Sequence, residues 1–157
     1  MELNVTIDLE GLDFGRLLSA WRWKLPSVKQ IAIISCLGDL FFVDSDDAVG
    51  RLQTDSGYLV RIADSVQQFQ ALLQDEEFAD EFFLPGFVQE LLLTGKNLAQ
   101  GEVYSYITPP VMGGAYSPDN IEAKNVYTHF DITGQFHEQI KDLPDGTRIT
   151  MSVKTKR

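Results

Sequence analysis

The fold is decided by residues 30–62, which read QIAIISCLGDLFFVDSDDAVGRLQTDSGYLVRI. Apolar runs rich in Ile, Val, Phe and Tyr occupy residues 30–37, 40–43, 49–53 and 58–62. The runs are separated by Gly-Asp, Asp-Ser-Asp-Asp and Thr-Asp-Ser-Gly, which are turn-forming sequences. Strands joined by such short turns pair with their neighbours in the chain, so this stretch predicts an antiparallel meander of about four strands.

Helical periodicity lies on both sides of this meander. Before it, apolar residues recur at helical spacing between Asp13 and Trp23. After it, Ser65 followed by Gln68 forms a capping box at the start of a further helix. The remaining predictions are helices at 76–83, from Pro85 to Gly95 and along the Val126–Ile140 stripe, and a last strand at 149–153. The predicted fold class is therefore α+β, a four-stranded meander packed by helices in a single domain.

Length and composition agree with one domain. The chain has 157 residues, 44% hydrophobic and 23% charged, which is an ordinary globular composition. We expect one domain over 1–157 with no separate N-terminal domain. A signal peptide pattern and a long apolar span are both lacking in the sequence, and Cys36 has no second cysteine to pair with. These features predict a cytoplasmic protein without membrane contact.

The charge is concentrated in the middle of the chain. The formal net charge is -10, and twelve acidic residues against two basic ones lie between Asp39 and Glu90. The remaining sequence has eleven acidic and eleven basic residues. Phosphate repulsion opposes direct binding of nucleic acid to such a region, whereas a basic protein partner is favoured. The alternative is that the acids only keep the protein soluble.

Known catalytic and metal-binding motifs are not found in the sequence. His129 and His137 are eight residues apart on a predicted helix, roughly 12 Å along its axis, which is too far to share one metal ion. Cys36 is predicted to be a buried thiol in the middle of a strand. Counting from Asp44, the Gly and Glu of a calcium loop are replaced by Val49 and Asp55. We expect no catalytic residue, no metal and no cofactor, with hydrolysis by paired carboxylates as the weakest alternative.

The stretch from Gly101 to Asn120 is the most unusual part of the sequence. It combines Tyr104, Tyr106 and Tyr116 with prolines and glycines, a composition suited to an ordered loop that carries amphipathic contact groups. Two interpretations remain open: the tyrosines pack at the edge of the core, or the loop covers a ligand pocket.

Five short motifs occur in a recognisable order along the chain: GDLFFVD (38–44), GKNLAQGE (95–102), PPVMGG (109–114), Asn120 and GQFHEQIKDLPDG (134–146). In this order they resemble the C-terminal domain of type VI secretion immunity proteins that neutralise a DNase toxin. The resemblance extends from about residue 21 to about residue 149. It implies a cytoplasmic protein that binds a cognate toxin and blocks it, and it implies no catalytic residues.

The predicted function is therefore non-catalytic binding of a basic toxin, which the resemblance implies to be a nuclease. The alternative is a small-ligand or regulatory domain with its pocket under the Tyr104–Tyr116 loop. For the immunity function we predict an acidic interface rim with Tyr58 and Tyr116 as aromatic anchors inside it. The predicted rim acids are Asp44, Asp46, Asp47, Glu76, Glu77, Asp80 and Glu81.

Overall fold

The computed structural model describes residues 3–144 and 146–147. Its main sheet consists of β1 (Val28–Ile34), β2 (Leu40–Asp44), β3 (Val49–Gln53) and β4 (Tyr58–Ala63) in the order β1-β2-β3-β4. All neighbouring strands are antiparallel. The predicted α+β fold with a four-stranded meander is confirmed.

Helices cover both faces of this sheet. They are α1 (Phe14–Leu18), α2 (Val66–Leu73), α3 (Glu76–Phe83), α4 (Pro85–Leu93) and α5 (Val126–Ile140). Strand β2 contributes side chains to the cores on both faces of the sheet, because successive side chains of a strand point to opposite faces. Leu40 and Phe42 pack into a core with residues of α1 and α5. Phe41 and Val43 pack into a second core with Phe69 of α2 and with α3.

The helices that follow the sheet begin where the sequence predicts. Ser65 caps α2, with its Oγ accepting a hydrogen bond from the Gln68 N–H at 3.0 Å. The Gln68 side chain bonds to the Asp64 N–H instead of the capping residue's own N–H, so the predicted capping box is shifted by one residue. Helix α3 has the predicted bounds. Its N-cap is Asp75, whose carboxylate accepts from the Glu77 N–H at 2.9 Å.

A second, two-stranded sheet was not predicted. Strand β5 (Glu102–Tyr106) pairs antiparallel with β6 (Ile121–Asn125), which lies directly before α5. The N-terminal segment also adds to the main sheet, since the Ile7 N–H donates to Ile34 O at 3.0 Å. Cys36 follows β1 in a turn, so its predicted place in the middle of a strand is wrong, although the thiol is buried as expected. The predicted strand at 149–153 lies outside the described residues.

Helix α5 is held close to the N-terminal helical segment. The indole N–H groups of Trp21 and Trp23 donate to Thr133 Oγ1 and to Gly134 O, each at 3.2 Å. A Cβ at Gly134 would lie 2.5 Å from Ala20 O, so only glycine permits this approach. The contact fixes the side of α5 that faces the sheet. In the described part of the chain, no helix has the length and apolar character needed to cross a membrane.

Candidate functional site

The predicted rim acids lie on the surface, in two groups. Glu76, Glu77, Asp80 and Glu81 are exposed on α3, whose opposite side is buried through Phe78 and Phe83. Asp46 and Asp47 are exposed in the turn between β2 and β3, and Asp44 is half-buried beside them.

Two of the turn acids have local partners. Asp44 Oδ1 accepts hydrogen bonds from the N–H groups of Asp46 and Ala48, at 2.9 and 3.1 Å, so Asp44 shapes the turn itself. Asp47 forms an exposed ion pair with Lys29, with an N···O distance of 2.5 Å. Asp46 differs from both, because its carboxylate neither shapes the turn nor forms this ion pair.

The predicted aromatic anchors lie at the other end of the sheet. Tyr58 begins β4 after the turn at 53–57, while the acidic turn at 44–48 joins β2 to β3. Strand β3 runs between these two turns and separates them by roughly 15 Å. Tyr58 and Tyr116 are both 69% exposed. The structure therefore separates Tyr58 from the acidic turn, while Tyr116 packs against Tyr106 of the loop region.

Two acids of the sheet loops are not surface charges. Asp39 is 7% exposed, and its carboxylate accepts from Arg51 Nη2 at 2.9 Å and from the Thr54 N–H at 3.2 Å. Burial raises the pKa of Asp39 to about 7, against the attraction of Arg51. Asp55 is half-buried, and burial also raises the pKa of its carboxyl, against hydrogen bonds from Ser56 and Gln53. The acidic surface is smaller than the sequence count suggests.

A cavity of about 260 Å³ lies under the loop that connects β5 to β6. Asn120 holds this loop closed: its Oδ1 accepts from the Thr108 N–H at 2.9 Å, and its Nδ2 donates to Thr108 O and Ala115 O. The cavity is lined from the loop side by Tyr106, Ile107, Pro109 and Pro110 and from the core side by residues of α5 and of the turn after β3.

The three tyrosines of the loop region therefore have different roles. Tyr104 is 2% exposed and packs with Cys36, Val88 and Leu91, as the packing interpretation predicts. Tyr106 lines the cavity, as the pocket interpretation predicts. Tyr116 meets the Tyr106 ring edge-on, with the ring centroids 5.6 Å apart. Tyr104 is thus a core residue, Tyr106 is a cavity residue, and binding of a ligand in the cavity stays a prediction.

Both histidines line the cavity from α5 and are buried. The Thr54 hydroxyl donates to Gly38 O at 3.0 Å, so it accepts from His129 Nε2–H, at 2.9 Å. His129 Nδ1 is then the acceptor for the Ser105 hydroxyl at 2.8 Å. His137 Nε2–H donates to Thr54 O at 3.0 Å. Burial lowers the pKa of His129 to about 4 and also lowers that of His137. Both rings are neutral near pH 7.

The histidines and the carboxylates do not form a metal centre. Among the described residues, no group of three or more His, Cys, Asp or Glu side chains could hold a metal ion. The histidines instead join three parts of the fold: α5, the turn after β3 and, through Ser105, strand β5. Their position on the predicted apolar stripe of α5 indicates that both histidines are buried. Nothing in the sequence identifies Thr54 or Ser105 as their hydrogen-bond partners.

One polar atom at this cavity stands out. Asp55 lines the cavity, and its Oδ1 is buried with no hydrogen-bond partner in the described part of the structure. Burial raises the pKa of Tyr116, and the nearby charges of Asp55 and Tyr58 contribute. Burial also raises the pKa of Tyr106, with a contribution from Asp55. Asp55 and Tyr106 line the cavity and Tyr116 contacts Tyr106; together with Tyr58 they are hereafter called the tyrosine–aspartate cluster. Sequence reasoning missed Asp55, because it was counted as a loop charge.

Comparison with known proteins shows that part of the chain is similar to immunity proteins of type VI secretion. The family model described as T6SS immunity protein Tdi1, C-terminal, matches residues 63–137. This match covers just under half of the chain and supports the resemblance that the sequence motifs indicate. The segment extends from the end of β4 into α5, and so contains the β5–β6 hairpin and the cavity loop.

The structural comparison adds a more distant similarity. The crystal structure of Atu4351 from Agrobacterium tumefaciens aligns with a TM-score of 0.48 and 14% sequence identity. The alignment covers 77% of this chain and 62% of that one, so the chain spans less than two thirds of that protein's length. Among curated proteins, none matches the chain.

Proposed function

We propose that this protein is a cytoplasmic immunity protein that binds a basic toxin and neutralises it by occupying its surface, without catalysis. The observation that carries this proposal is the family match over residues 63–137. The exposed carboxylates of α3 and of the β2–β3 turn support an electropositive partner, because complementary charge accelerates association. A nuclease is a partner of this kind, since its substrate is a polyanion.

The direct test is co-expression with the product of the adjacent gene. We expect the two proteins to co-purify and the toxin to lose its activity in a stoichiometric complex. Association should slow at rising ionic strength, because the Debye length falls to about 8 Å at 0.15 M salt. An association rate that is the same at low and high salt would contradict the role of the acidic surface, and no complex at any salt would contradict the function.

A charge reversal at Asp46 tests whether the acidic turn accelerates association with the toxin without contributing to folding. Asp46→Lys should lower the association rate constant by about three- to tenfold at low salt and leave the free energy of unfolding nearly unchanged, since Asp46 is exposed. Glu10→Lys is the matched control, because Glu10 is equally exposed but lies outside the acidic segment. Equal association rates for the two variants would assign no steering role to the turn.

The cavity favours a second candidate function, which is binding of a small ligand under the Tyr104–Tyr116 loop. Its volume of about 260 Å³ is below the roughly 300 to 1,000 Å³ of pockets that enclose drug-sized ligands. A free ligand would thus have to be small. A thermal-shift screen of small polar compounds tests this function: a compound that stabilises the protein when no toxin gene is adjacent would favour it.

A further inference from the structure

The carboxylate of Asp55 lies in an electrostatically unbalanced place. Arg51 is the guanidinium that attracts Asp55; its Nη2 is committed to Asp39 at 2.9 Å, and its Nε is buried with no hydrogen-bond partner in the described residues. Its Nη1 is directed to Gln53 Oε1 at 3.5 Å. Arg51 still attracts Asp55, but Asp55 Oδ1 is enclosed and has no partner in the described part of the chain. A buried acceptor in this state costs free energy, which a bound donor would recover.

The other charged and titratable groups of the cavity leave this imbalance in place. His129 and His137 are neutral near pH 7, because burial lowers the pKa of each ring. Lys124 also lines the cavity, but its Nζ pairs with Glu122 at 3.0 Å. Tyr106 carries no charge at this pH, because burial raises the pKa of its phenol. Asp55 Oδ1 is therefore a carboxylate oxygen of the cavity lining without a hydrogen-bond partner in the described residues, although Ser56 and Gln53 hydrogen-bond to the same carboxyl group.

The surroundings of Asp55 suit a guanidinium better than an ammonium group. A guanidinium is planar, weakly hydrated and able to stack on aromatic rings while it donates to a carboxylate. The tyrosine–aspartate cluster offers both surfaces: Tyr106 lines the cavity together with Asp55, and the ring of Tyr116 packs edge-on against the ring of Tyr106. An ammonium group would have to give up a stronger hydration shell for fewer donor contacts.

We propose that the cavity receives an arginine side chain of the toxin, whose guanidinium pairs with the Asp55 carboxylate once a rotation of that side chain turns Oδ1 into the cavity. This inference rests on the proposed immunity function and assigns its binding anchor. A cavity of about 260 Å³ suits one side chain better than a whole drug-sized ligand. Tyr58 and Tyr116, at 69% exposure each, offer the aromatic surface that a protein interface buries around such an anchor.

The first test needs no toxin and uses N-acetyl-arginine-methylamide, with the citrulline analogue as its uncharged control. Chemical shifts of the full-length protein are followed by NMR during titration. A fragment of this size should bind with a Kd of about 1 mM and shift the signals of Asp55, Tyr106 and His137. We expect the citrulline probe to bind at least tenfold more weakly. Equal binding of both probes, or shifts confined to the turn at 44–48, would overturn the inference.

The second test uses the toxin and two matched variants. Asp55→Asn keeps the shape and removes the charge, while Glu10→Gln removes an exposed charge outside both the cavity and the acidic segment. Asp55→Asn should weaken toxin binding by about tenfold or more, mainly through faster dissociation, and Glu10→Gln should change dissociation by less than about twofold. The citrulline comparison on the unmodified protein remains decisive even if Asp55→Asn folds poorly.

The outcomes distinguish this inference from the function on which it rests. Toxin binding that Asp55→Asn leaves unchanged would overturn the arginine site and leave the immunity function intact. A protein that binds no toxin would overturn the immunity function, and the assignment to a toxin side chain with it. A free arginine probe with a Kd below about 10 μM, far tighter than a single side chain achieves, would assign the cavity to a soluble cation instead.

Discussion

Replacing His129 with glutamine should change how the stability of the protein depends on pH. The His129 ring is 3% exposed and uses both nitrogens, one with Thr54 and one with Ser105. Glutamine is neutral at every relevant pH and can satisfy only part of this pair of contacts. At pH 7 the variant should therefore lose about 1 to 3 kcal/mol from the unmade hydrogen bond and the altered packing.

The pH dependence follows from the lowered pKa of the buried ring. Burial lowers the folded-state pKa of His129 from 6.5 to about 4. The unfolded chain thus takes up a proton before the folded protein does, and the contribution of the neutral ring to stability is lost as the pH falls from 6.5 towards 4. Between pH 7 and pH 5 this loss amounts to about 2 kcal/mol in the wild type. The His129→Gln variant lacks this pH-dependent loss, because glutamine does not titrate.

The assay is urea unfolding of both proteins at pH 7 and pH 5, because urea does not screen charges as a salt denaturant does. The deficit of the variant relative to the wild type should shrink by about 2 kcal/mol on acidification. All other titrating groups are common to both proteins and cancel in this comparison. A deficit that stays constant within about 0.5 kcal/mol would refute the neutral, buried state of the ring.

Three further predictions test neighbouring parts of the same region. In the wild type, the folded-state pKa of Asp39 is about 7, above its ordinary value of 3.8, so protonation of this carboxyl stabilises the fold as the pH falls. This trend is opposite to that of His129. Urea unfolding of Asp39→Asn should lack the gain. Gly38→Ala should cost at least about 3 kcal/mol in the same assay, because its φ is +84° and the new Cβ would lie 2.2 Å from His129 Nε2. Gly101→Ala has a similar φ of +81° with open space around it and should cost only about 1 kcal/mol. Asn120→Ala removes three hydrogen bonds and should speed amide exchange in residues 108–115, with unchanged exchange there counting against its role in closing the loop.

The meander and α3 were predictable because their signals are local. The turn at 53–57 and the strand at 49–53 are read from adjacent residues. Phe78 and Phe82, set among four acids, indicate the buried side of α3, although the structure buries Phe78 and Phe83 and leaves Phe82 half-buried. Strand β6 was missed because its partner is β5, on the far side of the cavity loop. Pairing across such a loop depends on contacts that no short sequence window contains.

The candidate site was only partly predictable for a related reason. The sequence marked the Tyr104–Tyr116 loop as unusual, and a cavity does lie beneath it. It also placed Tyr58 and Tyr116 among the acids, whereas the meander puts the 44–48 turn and the 53–57 turn at opposite ends of the sheet. Net charge by itself does not distinguish an exposed acid from a buried one. Asp39 and Asp55 were therefore grouped with the surface charges until their burial was visible.

The central claim is that this chain protects a cell from a toxin by binding it. The most direct measurement is the growth of a sensitive strain that expresses the adjacent gene's product, with and without this protein. We predict that the wild type and Glu10→Lys restore growth, and that a double variant, Asp46→Lys with Asp55→Asn, restores less at equal protein level. Growth that the wild type does not restore, with both proteins present and folded, would contradict the claim.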